Sequence, residues 1–168
     1  NHWFSHLNVN LVKGDFEPEY FPATPDQPAR IQFAHGFFNS ALHEISHWCM
    51  AGQKRRLLND FGYWYAPDGR NEEQQQQFEQ VEILPQAIEC LLTLACNKPF
   101  SVSKDNLFAD FDTSQSTFEA DVQAQAVKFW QTGQKLSTDA KVLLSQLTKL
   151  RPLPLTSFDI FHNFIKAN

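Results

Sequence analysis

The sequence predicts one α+β domain in which helices dominate. Helical patterns cover most of the chain from residue 36 onward, whereas strand-like runs are short and fall in the first half. The 168 residues, of which 42% are hydrophobic and 20% charged, are enough for a domain with its own core. We therefore predict a single domain over residues 1–168, built from a small sheet and several helices.

The first part of the chain should contain the sheet and one helix. Residues 1–30 are punctuated by four prolines, so only short strands are expected there, with residues 20–21 and 31–33 as the candidates. Residues 36–51 are predicted to be a helix. Gly52 follows directly, and glycine is the usual residue at which a helix stops.

The middle of the chain should hold a strand and a long helix. The aromatic run 61–65 is predicted to be a strand, and residues 67–69 (Pro-Asp-Gly) a turn. Asn71 can cap a helix that reaches about Cys96. We expect Pro85 to kink this helix, because proline removes one backbone donor.

Three further helices are predicted after the long one. The first covers about residues 114–132 and ends at Gly133, the second covers 137–150, and a short last helix covers about 157–166. Together with the preceding elements they make the fold helix-dominated.

The bulk properties exclude some classes of partner. The net charge of −5 and the pI of about 5.6 argue against nucleic acid and anionic membranes, because both need a basic surface. The longest apolar run, residues 87–96, is too short to span a bilayer. The three cysteines show neither disulfide nor zinc spacing, so we expect reduced thiols and a cytoplasmic protein.

His43 and His47 stand one helical turn apart in the run His43-Glu44-Ile45-Ser46-His47. This is the HExxH pattern, in which both imidazoles reach one metal ion and a carboxylate lies close by. Glu44 projects beside the pair, so we expect it to act in catalysis. The opposite face of the helix carries a predicted core stripe of Phe38, Ala41, Leu42, Ile45, Trp48 and Cys49. The alternative is a pair of solvated histidines.

Two histidines do not hold a catalytic ion alone, and the long helix offers a third ligand. One side of it carries the polar residues Gln75, Glu79, Glu82, Gln86, Glu89 and Thr93. Glu82 and Glu89 are separated by about 10 Å along the axis, so they cannot both bind one ion. We rank Glu82 first, Glu89 second and Glu79 third. Gln86 lies one turn after Glu82 and is expected to orient it. The alternative is a stripe that faces solvent.

Two histidines and one carboxylate are compatible with more than one chemistry. A zinc peptidase would use Glu44 as general base, although Met50 and Gln53 replace the residues of the metzincin extension. Iron(II) on the same ligands would keep positions open for O2. No histidine is followed two residues later by an acid, so 2-oxoglutarate is not expected. A third possibility is a metal-stabilised binding module without catalysis. His35, just before the motif, is a candidate to line the site or to hydrogen-bond a ligand. The alternative for His35 is a role only at the entry to the helix.

Several runs of the sequence resemble the bacterial elongation factor P hydroxylase family: residues 33–38, 41–49, 60–65, 67–70, Val81-Glu82 and Pro85-Gln86-Ala87. The resemblance implies an iron-dependent, O2-using hydroxylase of the β-lysylated lysine of elongation factor P that does not require 2-oxoglutarate. It also implies a zincin-like fold, with the HExxH helix packed on a small sheet. His43, His47 and Glu82 match the family's metal-binding pattern.

An acidic protein suits such a substrate, which is long and carries positive charge. The candidates to meet that charge are Glu44, Asp60, Asp110 and Asp112, and the alternative for the last two is a solvated loop. The aromatic residues Tyr63, Trp64 and Tyr65 are expected either to wall a channel for the aliphatic stem or to lie in a buried strand.

Overall fold

The computed structural model describes residues 7–63, 69–106, 110–111 and 116–150. Over these ranges the chain has three strands and four α-helices, so the predicted helix-dominated α+β class is confirmed. The chain divides into two compact units, residues 1–64 and 65–168, and the single-domain assignment stays a prediction. Residues 67–68 of the predicted turn and the helix predicted at 157–166 lie outside the described residues.

The first unit contains a three-stranded sheet of β1 (Val9–Lys13), β2 (Glu19–Phe21) and β3 (Ala29–Phe33), in the order β1-β3-β2. β1 runs parallel to β3, and β2 runs antiparallel to it. β2 and β3 were predicted, although β3 begins two residues earlier than expected. β1 was not predicted, because a five-residue strand is defined by its partner twenty residues away rather than by local pattern.

Helix α1 (Phe38–Arg55) follows the sheet and packs against β3. It begins two residues later than predicted, because Gly36 has a φ of +81° and Phe37 is extended. Gly52 (φ 66°, ψ 172°) interrupts the helical geometry, as predicted. The core stripe is confirmed except at Phe38, which lies in the first turn and is exposed.

The strand predicted at 61–65 is wrong for its first two residues. Residues Asn59–Gly62 form a 3₁₀ turn, within which Asp60 and Phe61 have positive φ. Phe61 is buried there, with its ring stacked on Tyr20 at a centroid distance of 4.1 Å. The Phe61 side chain is therefore buried by a turn rather than by the predicted strand. Tyr63 returns to extended geometry, and Trp64 and Tyr65 lie outside the described residues.

The second unit is built on helix α2 (Glu72–Ala95). Asn71 caps it as predicted: its side chain accepts from the Gln74 N–H, and the Gln74 side chain accepts from the Asn71 N–H. Pro85 lies inside the helix, and the kink expected there stays a prediction.

Helices α3 (Phe118–Thr132) and α4 (Thr138–Leu150) both pack against α2. α3 begins later than residue 114 and ends at Gly133, whose left-handed conformation (φ 61°) is the predicted stop. The core of this unit includes Ile88, Leu92, Phe118, Val122, Phe129 and Ala140. Over the described ranges, the chain contains no helix with the length and hydropathy needed to cross a membrane.

Candidate metal centre

The two histidines of the HExxH motif converge on one point in α1. The Nε2 atoms of His43 and His47 lie 3.1 Å apart, and the ring centroids are separated by 4.7 Å. Two ligands bonded to one ion at about 2.1 Å stand roughly 3.0–3.4 Å apart. The pair therefore has the spacing of neighbouring metal ligands, although a single N–H···N hydrogen bond also fits this distance.

His47 is held in a protected environment. Only 7% of its surface is exposed, whereas His43 is half-buried. The Tyr63 ring meets the His47 ring edge-on, with the centroids 6.3 Å apart and the planes at 69°. Two solvated histidines, the alternative that the sequence left open, do not describe this pair.

The polar stripe of α2 does not face solvent either. All six of its members are buried: Gln75, Glu79, Glu82, Gln86, Glu89 and Thr93. Glu82 is 1% exposed. A carboxylate this far from water is unfavourable unless hydrogen bonds or a cation compensate it. Its burial is therefore the feature expected of a metal ligand, and it excludes the solvated stripe.

Gln86 stands beside the Glu82 carboxylate and is itself tightly held. Its Nε2 lies 3.4 Å from Glu82 Oε2, at the long end of hydrogen-bond range, and donates to the Ser103 carbonyl at 2.8 Å. Its Oε1 accepts from the Ser103 N–H at 2.9 Å. The reciprocal pair with the Ser103 backbone fixes the amide, so Gln86 presents its N–H group to Glu82 in one orientation.

His43 and His47 together offer two imidazole nitrogens at ligand spacing. The buried Glu82 of the second unit is the carboxylate predicted as third ligand. Two imidazole nitrogens and one carboxylate oxygen suit iron(II) or zinc, and three protein ligands leave further coordination positions open. The residues present therefore fit a catalytic metal ion.

The competing carboxylate Glu79 has other partners. Its Oε1 accepts from Gln75 at 3.1 Å and its Oε2 from the Ser116 hydroxyl at 2.7 Å. Glu89 is buried as well. These contacts favour Glu82 as third ligand, an assignment that stays a prediction.

The remaining predicted site residues have different surroundings. His35 is exposed, with a φ of 50°, and its ring lies 5.6 Å from that of Phe37. Asp60 accepts a hydrogen bond at Oδ1 from the Tyr20 N–H at 2.8 Å, a contact that holds β2. Glu44 is half-buried on α1. The roles expected for these side chains stay predictions.

Two residues that contact predicted site residues were missed. Ser103 acts through its backbone, which leaves no signal in the sequence. Arg55 places its guanidinium 3.5 Å from the Tyr63 ring centroid, and it could have been noticed only as a basic residue near the end of the motif helix.

A family model described as elongation factor P hydroxylase matches residues 1–156. The chain is also 43% identical, over 156 residues, to a protein of Haemophilus influenzae named elongation factor P lysine hydroxylase. That alignment covers 91% of this chain and 87% of the relative.

Proposed function

The chain belongs to the elongation factor P hydroxylase family, and on that premise we propose that it hydroxylates the β-lysylated lysine of elongation factor P with iron(II) and O2. The ligand spacing of His43 and His47 is the observation that carries the proposal, because with Glu82 as the proposed third ligand it gives the two histidines and one carboxylate that O2-activating iron enzymes use. When bound, iron(II) would supply the activation of O2.

The protein's own residues would hold the ion and orient the reaction. His43 and His47 offer their Nε2 atoms at ligand spacing, and Glu82 adds one negative charge that balances part of the metal's charge. Gln86, fixed by Ser103, would keep the Glu82 carboxylate in one orientation.

Glu44 is our candidate for the residue that meets the amino groups of the substrate or holds a proton. It is half-buried in the same helical turn as the two histidines, and the net charge of −5 suits a cationic substrate. Asp60 is less suited, because one of its oxygens is engaged by the Tyr20 backbone.

A zinc peptidase is the second candidate. HExxH with Glu44 as general base is the pattern that favours it. Family membership favours the hydroxylase. We further propose that the reaction takes place in the cytoplasm without 2-oxoglutarate. The three thiol side chains, Cys49, Cys90 and Cys96, suit a reducing compartment.

The test is the intact mass of β-lysylated elongation factor P after incubation with iron-loaded protein in air. We expect a gain of one oxygen atom, with or without 2-oxoglutarate, and no gain in an anaerobic chamber. Undiminished turnover without O2 would refute the oxygenase proposal. Cleavage of peptides by the zinc-loaded protein, absent after chelation, would establish the peptidase instead.

A further inference from the structure

The turn after α1 has an unfavourable backbone. Asp60, Phe61 and Gly62 are consecutive residues with φ of 46°, 57° and 67°. The left-handed region costs roughly 1–2 kcal/mol for a residue with a side chain, and Phe is not among the residues that tolerate it well. Such a conformation persists only where the surrounding structure enforces it, and it is often found beside functional sites.

Four contacts enforce this turn. The Asp60 carboxylate accepts from the Tyr20 N–H at 2.8 Å, and the Tyr20 ring stacks on Phe61. The Tyr20 hydroxyl donates to the Arg56 carbonyl at 2.8 Å. Arg55 Nε donates to the Phe61 carbonyl at 2.8 Å. The turn is thus fastened on one side to β2 and on the other to the end of α1.

The turn places Tyr63 beside His47, the proposed metal ligand. The Tyr63 N–H donates to the Asp60 carbonyl at 3.0 Å, so its backbone is tied to the turn. The guanidinium of Arg55 covers the Tyr63 ring, which meets His47 edge-on. Arg55 therefore has two functions: it holds the turn through Phe61 and packs on the ring that the turn presents.

We propose that the left-handed turn is a positioning device for His47, with Asp60 and Tyr63 as its positioning residues. Asp60 holds the turn, and the turn determines the position of the Tyr63 ring. Tyr63 in turn fixes the plane of the His47 imidazole. A metal ligand must keep its ring orientation for its nitrogen to point at the ion, and neighbouring groups commonly supply that constraint. The inference rests on the proposed function only in taking His47 as a ligand.

The test is titration of the metal-free protein with cobalt(II), which reports affinity and, through its visible absorption bands, ligand geometry. Three variants separate the contributions of Asp60. Asp60→Asn keeps both an acceptor and tolerance of positive φ, so we expect the wild-type cobalt affinity and spectrum. Asp60→Gly keeps the backbone freedom but loses the acceptor. We expect it to bind cobalt about tenfold more weakly, with shifted bands. Asp60→Ala loses both features and should be at least as impaired.

Variants at Tyr63 complete the series. Tyr63→Phe keeps the ring and should retain the cobalt spectrum, whereas Tyr63→Leu should reproduce the Asp60→Gly spectrum. Far-UV circular dichroism and melting temperature show that each variant is folded. If Asp60→Gly or Tyr63→Leu is folded and has the wild-type cobalt affinity and spectrum, the turn has only a structural role and the inference is wrong.

The outcome is independent of hydroxylation. If the wild-type protein fails to hydroxylate elongation factor P but the cobalt series behaves as expected, the proposed function alone falls. If hydroxylation occurs and the Asp60 and Tyr63 variants all bind cobalt with the wild-type affinity and spectrum, only the positioning inference is wrong. If the wild-type protein binds no cobalt, the inference falls as well.

Discussion

The Nε2 atoms of His43 and His47 face each other at 3.1 Å on a single helix. The spacing of four residues places the two side chains on one face, one turn apart. The buried Glu82 is the proposed third ligand. A metal bound by these three side chains should depend on each of them separately, and this dependence can be measured.

Replacement of either histidine should abolish metal binding. In His43→Ala and His47→Ala we expect loss of the bound metal and of activity while the helical circular dichroism spectrum is kept, because neither side chain belongs to the core stripe of α1. His35→Asn is the matched control, since His35 is exposed and asparagine tolerates its positive φ. Elemental analysis after dialysis measures the occupancy. Full occupancy in either alanine variant would mean that the site lies elsewhere.

Substitutions at Glu82 and Glu44 should affect different properties, metal binding and turnover respectively. Glu82→Gln should lose metal, because the amide is a poorer ligand than the carboxylate. Glu44→Gln should keep the metal and lose turnover. Glu79→Gln and Glu89→Gln serve as controls on the same face of α2 as Glu82 and should retain metal. Metal loss in Glu44→Gln without loss in Glu82→Gln would reverse the two roles.

Gln86 should contribute to both stability and metal affinity. Gln86→Leu removes both hydrogen bonds to the Ser103 backbone. We expect the free energy of unfolding to fall by about 1–2 kcal/mol, since Ser103 is exposed and water can replace part of the loss. Metal affinity should fall about tenfold as Glu82 loses its neighbour.

The control for Gln86 is Gln80→Leu, at an exposed position of α2. Urea unfolding should place this variant within about 0.5 kcal/mol of the wild type. A Gln86→Leu variant that is less stable but binds metal normally would show that Gln86 supports the fold and not the ligand.

The cysteines should differ in reactivity. Cys49 and Cys90 are buried, and burial raises the pKa of the Cys90 thiol, so little of its reactive thiolate is present at pH 8. Cys96 is partly exposed. With iodoacetamide at pH 8, we expect Cys96 to be modified first and the other two only after unfolding, as read by peptide mapping. Rapid labelling of Cys90 in the native protein would contradict the buried environment.

Local patterns in the sequence were sufficient to predict several features of the fold. The end of regular helix at Gly52, the cap at Asn71 and the end of α3 at Gly133 were all predicted correctly. Each depends on backbone preferences or hydrogen bonds within a few residues. The spacing of His43 and His47 belongs to the same class, because the helical repeat alone places them on one face.

Features that depend on distant partners were not predictable in this way. β1 needs β3 as its partner, and the residues predicted as the start of a strand, Phe61 and Gly62, form a left-handed turn because Tyr20 and Arg55 hold it. An aromatic run has the same local preference for a strand whether the chain forms a strand or a turn there. Tertiary contacts outweighed that preference, which is worth only about 1 kcal/mol.

By itself, the sequence determined that two histidines share a helical face beside a carboxylate, and its resemblance to a family indicated their chemistry. Only the tertiary structure decided that the polar stripe of α2, with Glu82 in it, is buried. The periodicity of a helix shows which residues share a face. Whether that face meets water or protein is set by what packs against it, and the free energy of a carboxylate depends strongly on that difference.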